Sequence, residues 1–445
     1  MERYEKYKDS GVEWIGEIPE GWGIKKIKHR CYVKGRVGWK GLKSSEFLLD
    51  GFSYLVTGTD FKDGKVDWEG CYHIDKERYE EDPFIQLQNN DLLITKDGTI
   101  GKLAIVDNLD KPACLNSGIF VVRSINEDFT TRYLYWMLTS DIFTKFNEYT
   151  SYGSTIQHLY QNVFVEFAFS FPSRPDQIAI ANYLDRKTAE IDELIAQKER
   201  LLELYEEEKT AIINQAVTKG IDPDVKLKDS GIDWLGEIPE GGRTVPLTKY
   251  LENIVDYRGR TPKKMASGML LVTARNIKNG QINYSLSEEF VDPDDAKKLL
   301  ERGYPKIGDV LFTTEAPLGE VANIDREDIA LAQRVIKFRG KKGILDNYFL
   351  KYFLSSDSFL QKLYTYATGS TALGIKASKL SKLQVLLLPI DDQLAIVHHI
   401  ETETARINAK IAKTKRIIGL QKEYRTALIS EVVTGKIKVT QEAAS

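Results

Sequence analysis

One block of this chain is written twice. Lys8-Asp9-Ser10-Gly11-Val12-Glu13-Trp14-Ile15-Gly16-Glu17-Ile18-Pro19-Glu20-Gly21 returns as Lys228-Asp229-Ser230-Gly231-Ile232-Asp233-Trp234-Leu235-Gly236-Glu237-Ile238-Pro239-Glu240-Gly241. Only Val to Ile, Glu to Asp and Ile to Leu separate the copies. Shorter echoes follow in the same order. Thr57-Gly58-Thr59-Asp60 matches Thr273-Ala274-Arg275-Asn276, and Asp91-Leu92-Leu93-Ile94-Thr95 matches Asp309-Val310-Leu311-Phe312-Thr313. Leu138-Thr139-Ser140-Asp141 matches Leu354-Ser355-Ser356-Asp357, and Gly153-Ser154-Thr155 matches Gly369-Ser370-Thr371. A chain built this way folds as two copies of one unit, and 445 residues are enough for at least two cores.

Each copy has two textures. Its first part holds short β-branched and aromatic runs broken by Gly, Asp and Asn: Tyr54–Thr57, Leu92–Thr95, Leu103–Val106 and Ile119–Val122, with Asp97-Gly98 as a hairpin signal. One or two short helices are expected in each, around Thr131–Asn147 and Asn347–Tyr364. This is a mixed α/β (α+β) domain. Its second part is one long helix. From Asp176 to Lys219 no Gly or Pro intervenes, and Leu184, Ile191, Ile195, Leu202, Tyr205 and Ile212 recur at helical spacing. Ile400, Ile407, Ile411, Ile418, Leu428 and Val432 repeat that phase in the second copy. A stripe of this kind must be covered. The economical solution pairs the two helices as an antiparallel coiled coil; the other is that each helix packs on its own domain. The expected segments are 1–173 and 222–389 as globular domains, 174–221 and 390–437 as helices, and 438–445 as a tail.

Several function classes are excluded or weakened. There is no Gly-x-x-x-x-Gly-Lys-Ser/Thr phosphate loop, no Asn-Pro-Pro-Tyr-type methyltransferase site and no Gly-rich cofactor loop after a strand. The histidines His29, His73, His158, His398 and His399 make no metal-binding pattern, and Cys31, Cys71 and Cys114 are too far apart in sequence for a zinc knuckle. Asp176 with Asp185 and Lys187 gives a loose nuclease-like pattern, but Asp176 reads better as a helix-start acid. No metal site is expected and no catalytic residue. No apolar run reaches membrane-spanning length and the start lacks a signal-peptide pattern, so a cytoplasmic protein is expected. The net charge is −3, split between 21 basic and 26 acidic residues in 1–173 and 25 and 22 in 222–389. That does not exclude DNA, since phosphate contacts need a local basic face.

The duplicated signature, the Gly-Ser-Thr blocks, Asp176-Gln177 and Asp392-Gln393 leading the helices, and the helix ends Ala216-Val217-Thr218-Lys219-Gly220 and Val432-Val433-Thr434-Gly435-Lys436 occur together. In this combination the whole chain resembles the specificity subunit of type I restriction-modification systems. The resemblance implies two target recognition domains, each reading one half of a bipartite, asymmetric DNA sequence. It implies that the helices set the half-site spacing and dock two methyltransferase subunits, with restriction-translocase subunits joining for cleavage. S-adenosylmethionine, ATP and Mg would then sit on the partners, with no cofactor on this chain. The specificity portion of a fused restriction-methylation enzyme and a coiled-coil scaffold are the other readings.

If the domains read DNA, the candidates are polar and basic residues that differ between the copies or lie in the loops. In the first domain these are Arg36, Lys40, Thr57, Thr59, Lys62, Lys96, Thr99, Lys102, Tyr152, Ser154, Thr155 and Gln157. In the second they are Tyr257, Arg258, Arg260, Thr261, Lys263, Arg275, Asn276, Lys278, Thr314, Ser370 and Thr371. Arg, Asn and Gln suit base edges, Lys, Ser and Thr suit phosphates, and Tyr152 or Tyr257 could stack beside a flipped base. Lys96-Asp97-Gly98-Thr99 gives way to Thr314-Glu315-Ala316-Pro317 in the second copy, so a hairpin tip changes shape and charge.

Overall fold

In the computed structural model, residues 2–36, 41–126, 128–150, 158–257, 262–369 and 373–440 are described. The fold is mixed α/β, with two globular domains and two long helices. The central helix spans Arg174–Lys219 and the distal helix Ile390–Val433. At 1.5 Å per residue each is roughly 65–70 Å long.

The chain divides into two compact units, residues 1–199 with 416–445, and residues 200–415. The division cuts both long helices. Each unit therefore holds one globular domain, part of its own helix and part of the other copy's helix. In the first unit Arg425 forms a two-pronged bond to Asp192 (2.8 and 3.0 Å) and Lys422 lies 3.1 Å from Glu199. In the second, Arg406 lies 3.4 Å from Glu208 and the Lys410 ammonium 5.4 Å from the Tyr205 ring. In both units rising numbers on one helix meet falling numbers on the other, so the pairing is antiparallel.

These exposed ion pairs each contribute about 0–1 kcal/mol. The apolar stripe does more: Leu184, Ile191, Ile195, Ile400, Ile407, Ile411, Ile418, Leu428 and Val432 are buried, each worth about 1.5–3 kcal/mol when removed from water. Leu202, Tyr205 and Ile212 are half-buried.

In the first domain a six-stranded sheet runs in the order Cys31–Gly35, Ile119–Ser124, Leu92–Thr95, Leu103–Ile105, Lys65–Val66, Phe61–Lys62. A second sheet places Ser53–Val56 between Ala113–Leu115 and Tyr72–Ile74. In the second domain the corresponding sheets are Leu251–Asp256, Val335–Gly340, Val310–Thr314, Leu318–Asn323 and Lys264–Met265, Phe290–Val291, Met269–Val272, Ile329–Leu331. The registers agree: Ile119 faces Thr95 in the first, and Val335 faces Thr313 in the second.

Each range expected to be helical holds two short helices. Around Thr131–Asn147 they are Thr131–Thr139 and Asp141–Thr150, and around Asn347–Tyr364 they are Asn347–Leu354 and Asp357–Thr365. The breaks between them are docking points. At the first break the Asp141 N–H donates to Ser430 on the distal helix (3.1 Å), and at the second the Asp357 N–H donates to Asn214 on the central helix (3.0 Å). Each free helix start takes its partner from the other copy's long helix, a contact no local pattern encodes.

Candidate nucleic-acid interface

The longest repeated block is a frame and not a site. Within each copy Ser10 or Ser230 accepts from the N–H two residues on (3.2 and 3.1 Å), and Asp9 or Asp229 accepts from Gly11 or Gly231 (2.9 Å in both). Gly11 and Gly231 stand at φ +71° and +72°, a conformation that costs other residues strain, so glycine is required there. Lys8 and Lys228 reach the Glu20 and Glu240 carbonyls at 2.7 and 2.6 Å. The hairpins so built close over helix ends. The Tyr7 hydroxyl donates to the Gly435 carbonyl (3.0 Å), and the Lys438 N–H donates to the Glu2 carbonyl (2.9 Å). The two ends of the first unit's chain thus meet.

The Asp-Gln pairs are also frame. Gln177 and Gln393 are fully buried at the helix starts. Gln177 accepts from the Thr130 N–H (3.0 Å) and donates to the Pro172 carbonyl (3.0 Å). Gln393 accepts from the Asp346 N–H (2.9 Å) and donates to the Ile344 and Leu388 carbonyls (2.8 Å each). Each glutamine clamps a long helix to its globular domain.

The next matched pair is a turn. Asp60 accepts from the Thr57 N–H (2.7 Å) and hydroxyl (2.9 Å), and Asn276 accepts from the Thr273 N–H and hydroxyl (2.9 Å each). Of the two residues between, Gly58 gives way to buried Ala274, and exposed Thr59 gives way to exposed Arg275. Arg275 lies 3.6 Å from Glu289, which also holds Lys264 at 2.8 Å.

A third place of divergence is the end of two neighbouring interior strands of the main sheet. In the first domain the Lys96 N–H donates to the Gly118 carbonyl (2.8 Å); in the second the Thr314 N–H donates to the Arg334 carbonyl (2.9 Å). The Leu159 and Ile375 N–H groups close the corners on Lys96 (3.0 Å) and Thr314 (2.9 Å). The backbone is therefore the same, while the side chains are Lys96, Asp97, Gly118 and His158 in one copy and Thr314, Glu315, Arg334 and Gly374 in the other. Lys96 lies 5.1 Å over the Phe120 ring, and Asp97 pairs with His158. Glu315 instead takes the Arg334 Nε at 2.7 Å.

A duplicated frame with polar, divergent edges fits a family known by its sequence model. The model for the type I restriction modification DNA specificity domain matches residues 19–204 and again 251–416, well over half of the chain. The chain belongs to this family. It is a DNA specificity subunit of the type I restriction-modification kind, with two DNA specificity domains. It is 24% identical to the Type I restriction enzyme MjaVIII specificity subunit of Methanocaldococcus jannaschii, across 95% of this chain and 94% of that one. It is 20% identical to the Type I restriction enzyme EcoKI specificity subunit of Escherichia coli K12, across 94% and 91%. Its fold is shared with the HsdS subunit from Thermoanaerobacter tengcongensis (TM-score 0.58, 15% identity, 94% and 98% covered). It is also shared with a chain of a structure on complex assembly and conformational transition of the type I R-M system (TM-score 0.71, 14% identity, 94% and 99% covered).

In the two specificity domains the candidate residues fall into three groups. Lys40, Tyr152, Ser154, Thr155, Gln157, Arg258, Arg260, Thr261, Ser370 and Thr371 lie outside the described residues. Thr59, Lys62, Thr99, Lys102, Lys263, Arg275 and Lys278 are exposed; Thr57 and Lys96 are half-buried. Lys62 is paired with Asp67.

The third group is buried and hydrogen-bonded within its own domain in this conformation. Arg36 is buried, its Nε donating to the Leu115 carbonyl (2.9 Å). Tyr257 is fully buried and donates to the Gly303 carbonyl (2.6 Å); burial raises its pKa. Asn276 caps its turn, and its amide donates to the Asn283 and Ser287 carbonyls (3.1 and 3.0 Å). Thr314 is buried, its hydroxyl 3.2 Å from the Arg334 carbonyl. For each, leaving these partners would strand buried polar groups, at about 1–3 kcal/mol apiece.

Residues that sequence reasoning passed over sit beside the candidates. Asn116, Ser117 and Gly118 on one side, and Ala332, Gln333 and Arg334 on the other, follow the strands Ala113–Leu115 and Ile329–Leu331 in matched positions. The signal was present: extending the repeat alignment through these strands sets Gly118 against Arg334. The nuclease-like set disperses. Asp176 bonds Ser173 (2.6 Å), Asp185 accepts from the Trp136 indole (2.9 Å), and Lys187 pairs with Glu190 (2.6 Å). Cys31, Cys71 and Cys114 are buried thiols. Among the described residues no acid, His and Cys group could hold a metal, and no helix is long and apolar enough to cross a membrane.

Proposed function

We propose that each specificity domain reads one half of a bipartite, asymmetric DNA target, and that the paired helices fix the gap between the halves. The observation that carries this is the corner at Lys96 and Thr314: the same backbone hydrogen bonds present different charged side chains in the two copies. A shared frame with different edges gives two half-sites of different sequence.

The helices dock two methyltransferase subunits, and restriction-translocase subunits complete the complex. S-adenosylmethionine, ATP and Mg belong to those partners, which modify adenine and cleave; this chain supplies recognition. The setting is the cytoplasm and the role is host defence. Methylation mapping on cells carrying this chain with its methyltransferase tests the reading. A single bipartite motif with a fixed unspecified gap is expected, and a stable complex that leaves no motif would overturn it.

A further inference from the structure

We infer that Arg334, held by Glu315, is a guanine-reading residue of the second specificity domain; this rests on the reading function proposed above. Three observations converge. First, the backbone of Arg334 is fixed, because its carbonyl accepts from both the Thr314 N–H (2.9 Å) and the Thr314 hydroxyl (3.2 Å). Thr314, buried, is thereby a positioning residue and not a contact residue.

Second, the side chain is oriented but still presented. Its Nε lies 2.7 Å from Glu315, yet the side chain remains 51% exposed. Glu315 in turn bridges to Gly374 through its backbone. A guanidinium has four more N–H donors on its terminal nitrogens, in a plane that matches the O6 and N7 acceptors of guanine in the major groove. A carboxylate buttress lowers the rotamer entropy lost on binding, which favours a directional base contact over a point-charge contact to phosphate.

Third, the place is electropositive and concave. Arg334 lines a cleft of about 260 Å³ with Lys264, Arg275 and Gln333, three cations against the two carboxylates of Glu289, in the lining, and Glu315, on Arg334. In the first domain the matched corner has Gly118 where Arg334 stands, and the cation comes from Lys96 on the adjoining strand. The position of the cation is thus what distinguishes the two domains at this corner.

The test uses the full complex of this chain with its methyltransferase subunits. The motif is mapped first for the unaltered chain, and duplexes are then made with each base pair of both half-sites changed in turn. Arg334→Ala should lose roughly tenfold to a hundredfold of discrimination at one G·C pair of one half-site, with the other half-site unchanged. Arg334→Gln, which keeps a polar side chain of similar reach, should relax the same pair. Glu315→Ala should weaken discrimination at that pair to a smaller degree, and Glu315→Asp should restore part of it.

Equal weakening on every duplex would mean a phosphate contact and overturn the inference. So would full discrimination by Arg334→Ala with the original motif intact, which leaves the parent reading standing. Absence of any bipartite motif with the unaltered chain overturns the parent reading and this one with it.

Discussion

In the first specificity domain the Asp91 carboxylate meets Arg123, with the Nη2 contact at 2.8 Å. At the matched place in the second, Asp309 meets Arg339 at 2.6 and 2.7 Å and also Lys337 at 3.1 Å. Val121 occupies the position of Lys337 in the first domain, on the same strand register. Both acids receive one backbone N–H, from Gln88 (2.7 Å) and Lys306 (3.0 Å). Burial pushes the Asp91 pKa up, and Arg123 does not fully offset it. Burial also opposes ionisation of Asp309, but the hydrogen bond from Arg339 and the charge of Lys337 outweigh it and bring the pKa below the ordinary aspartate value. Inside the frame, a change of charge is accepted when a partner is at hand to neutralise it. At the exposed corners no such balance is required, so the side chains are free to diverge.

The largest effect should come from exchanging a whole domain. Replacing residues 222–388 with the corresponding part of another family member should change one half-site in the methylation map and leave the other as it was. Change in both halves would break the modular comparison. A seven-residue insertion at matched points of both long helices lengthens them by about 10.5 Å, and should widen the unspecified gap by roughly three base pairs at ~3.4 Å per pair. The same map reads it, and the half-sites should stay constant.

The buried acids sharpen the contrast next. Asp309→Asn leaves the Lys337 ammonium, 1% exposed, without its carboxylate, and should cost about 3–5 kcal/mol in urea unfolding. Lys337→Val copies the first domain and should cost less than about 2 kcal/mol, since Asp309 keeps Arg339. Equal losses would mean the lysine is no passenger in that network.

The pH dependence should differ in sign. Asp309, with a lowered folded pKa, adds stability above the unfolded value of about 4 that is lost as pH falls through the folded pKa. Asp91, with a raised folded pKa, adds stability present below about 4 that is lost as pH rises through the folded value. Between pH 6 and pH 3, hydrogen exchange should show Asp309→Asn flattening the acid loss of protection in Val310–Thr314. Asp91→Asn should remove a small acid gain in Leu92–Thr95. The smallest effect concerns the frame hairpin: Tyr7→Phe deletes its bond to Gly435 and should lower thermal stability by about 0.5–1.5 kcal/mol with the motif unchanged.

Much of the fold was legible from the chain alone. The repeat dictated two like domains, because identical residues in like order meet the same turn and packing requirements. The helical stripe dictated a partner, since apolar residues at three- and four-residue steps cannot be buried by the helix that carries them. Strands such as Leu92–Thr95 were readable because they are short, apolar and bounded by turns. The corner residues were harder. Arg36, Tyr257, Asn276 and Thr314 have the chemistry of contact residues, and nothing in their local sequence says that a carbonyl elsewhere already holds them.

The sequence by itself determined that the protein is a duplicated α/β frame on a pair of long helices, because periodicity and repetition are properties of the chain. Only the tertiary structure decided which polar side chains are used inside. The acceptor of Tyr257 lies 46 residues away at Gly303, that of Arg36 lies 79 away at Leu115, and the buttress of Arg334 is Glu315, just past the end of the neighbouring strand Val310–Thr314. Those pairings form when sheets close and desolvate their edges, so they are set by three-dimensional proximity, which no local spacing records.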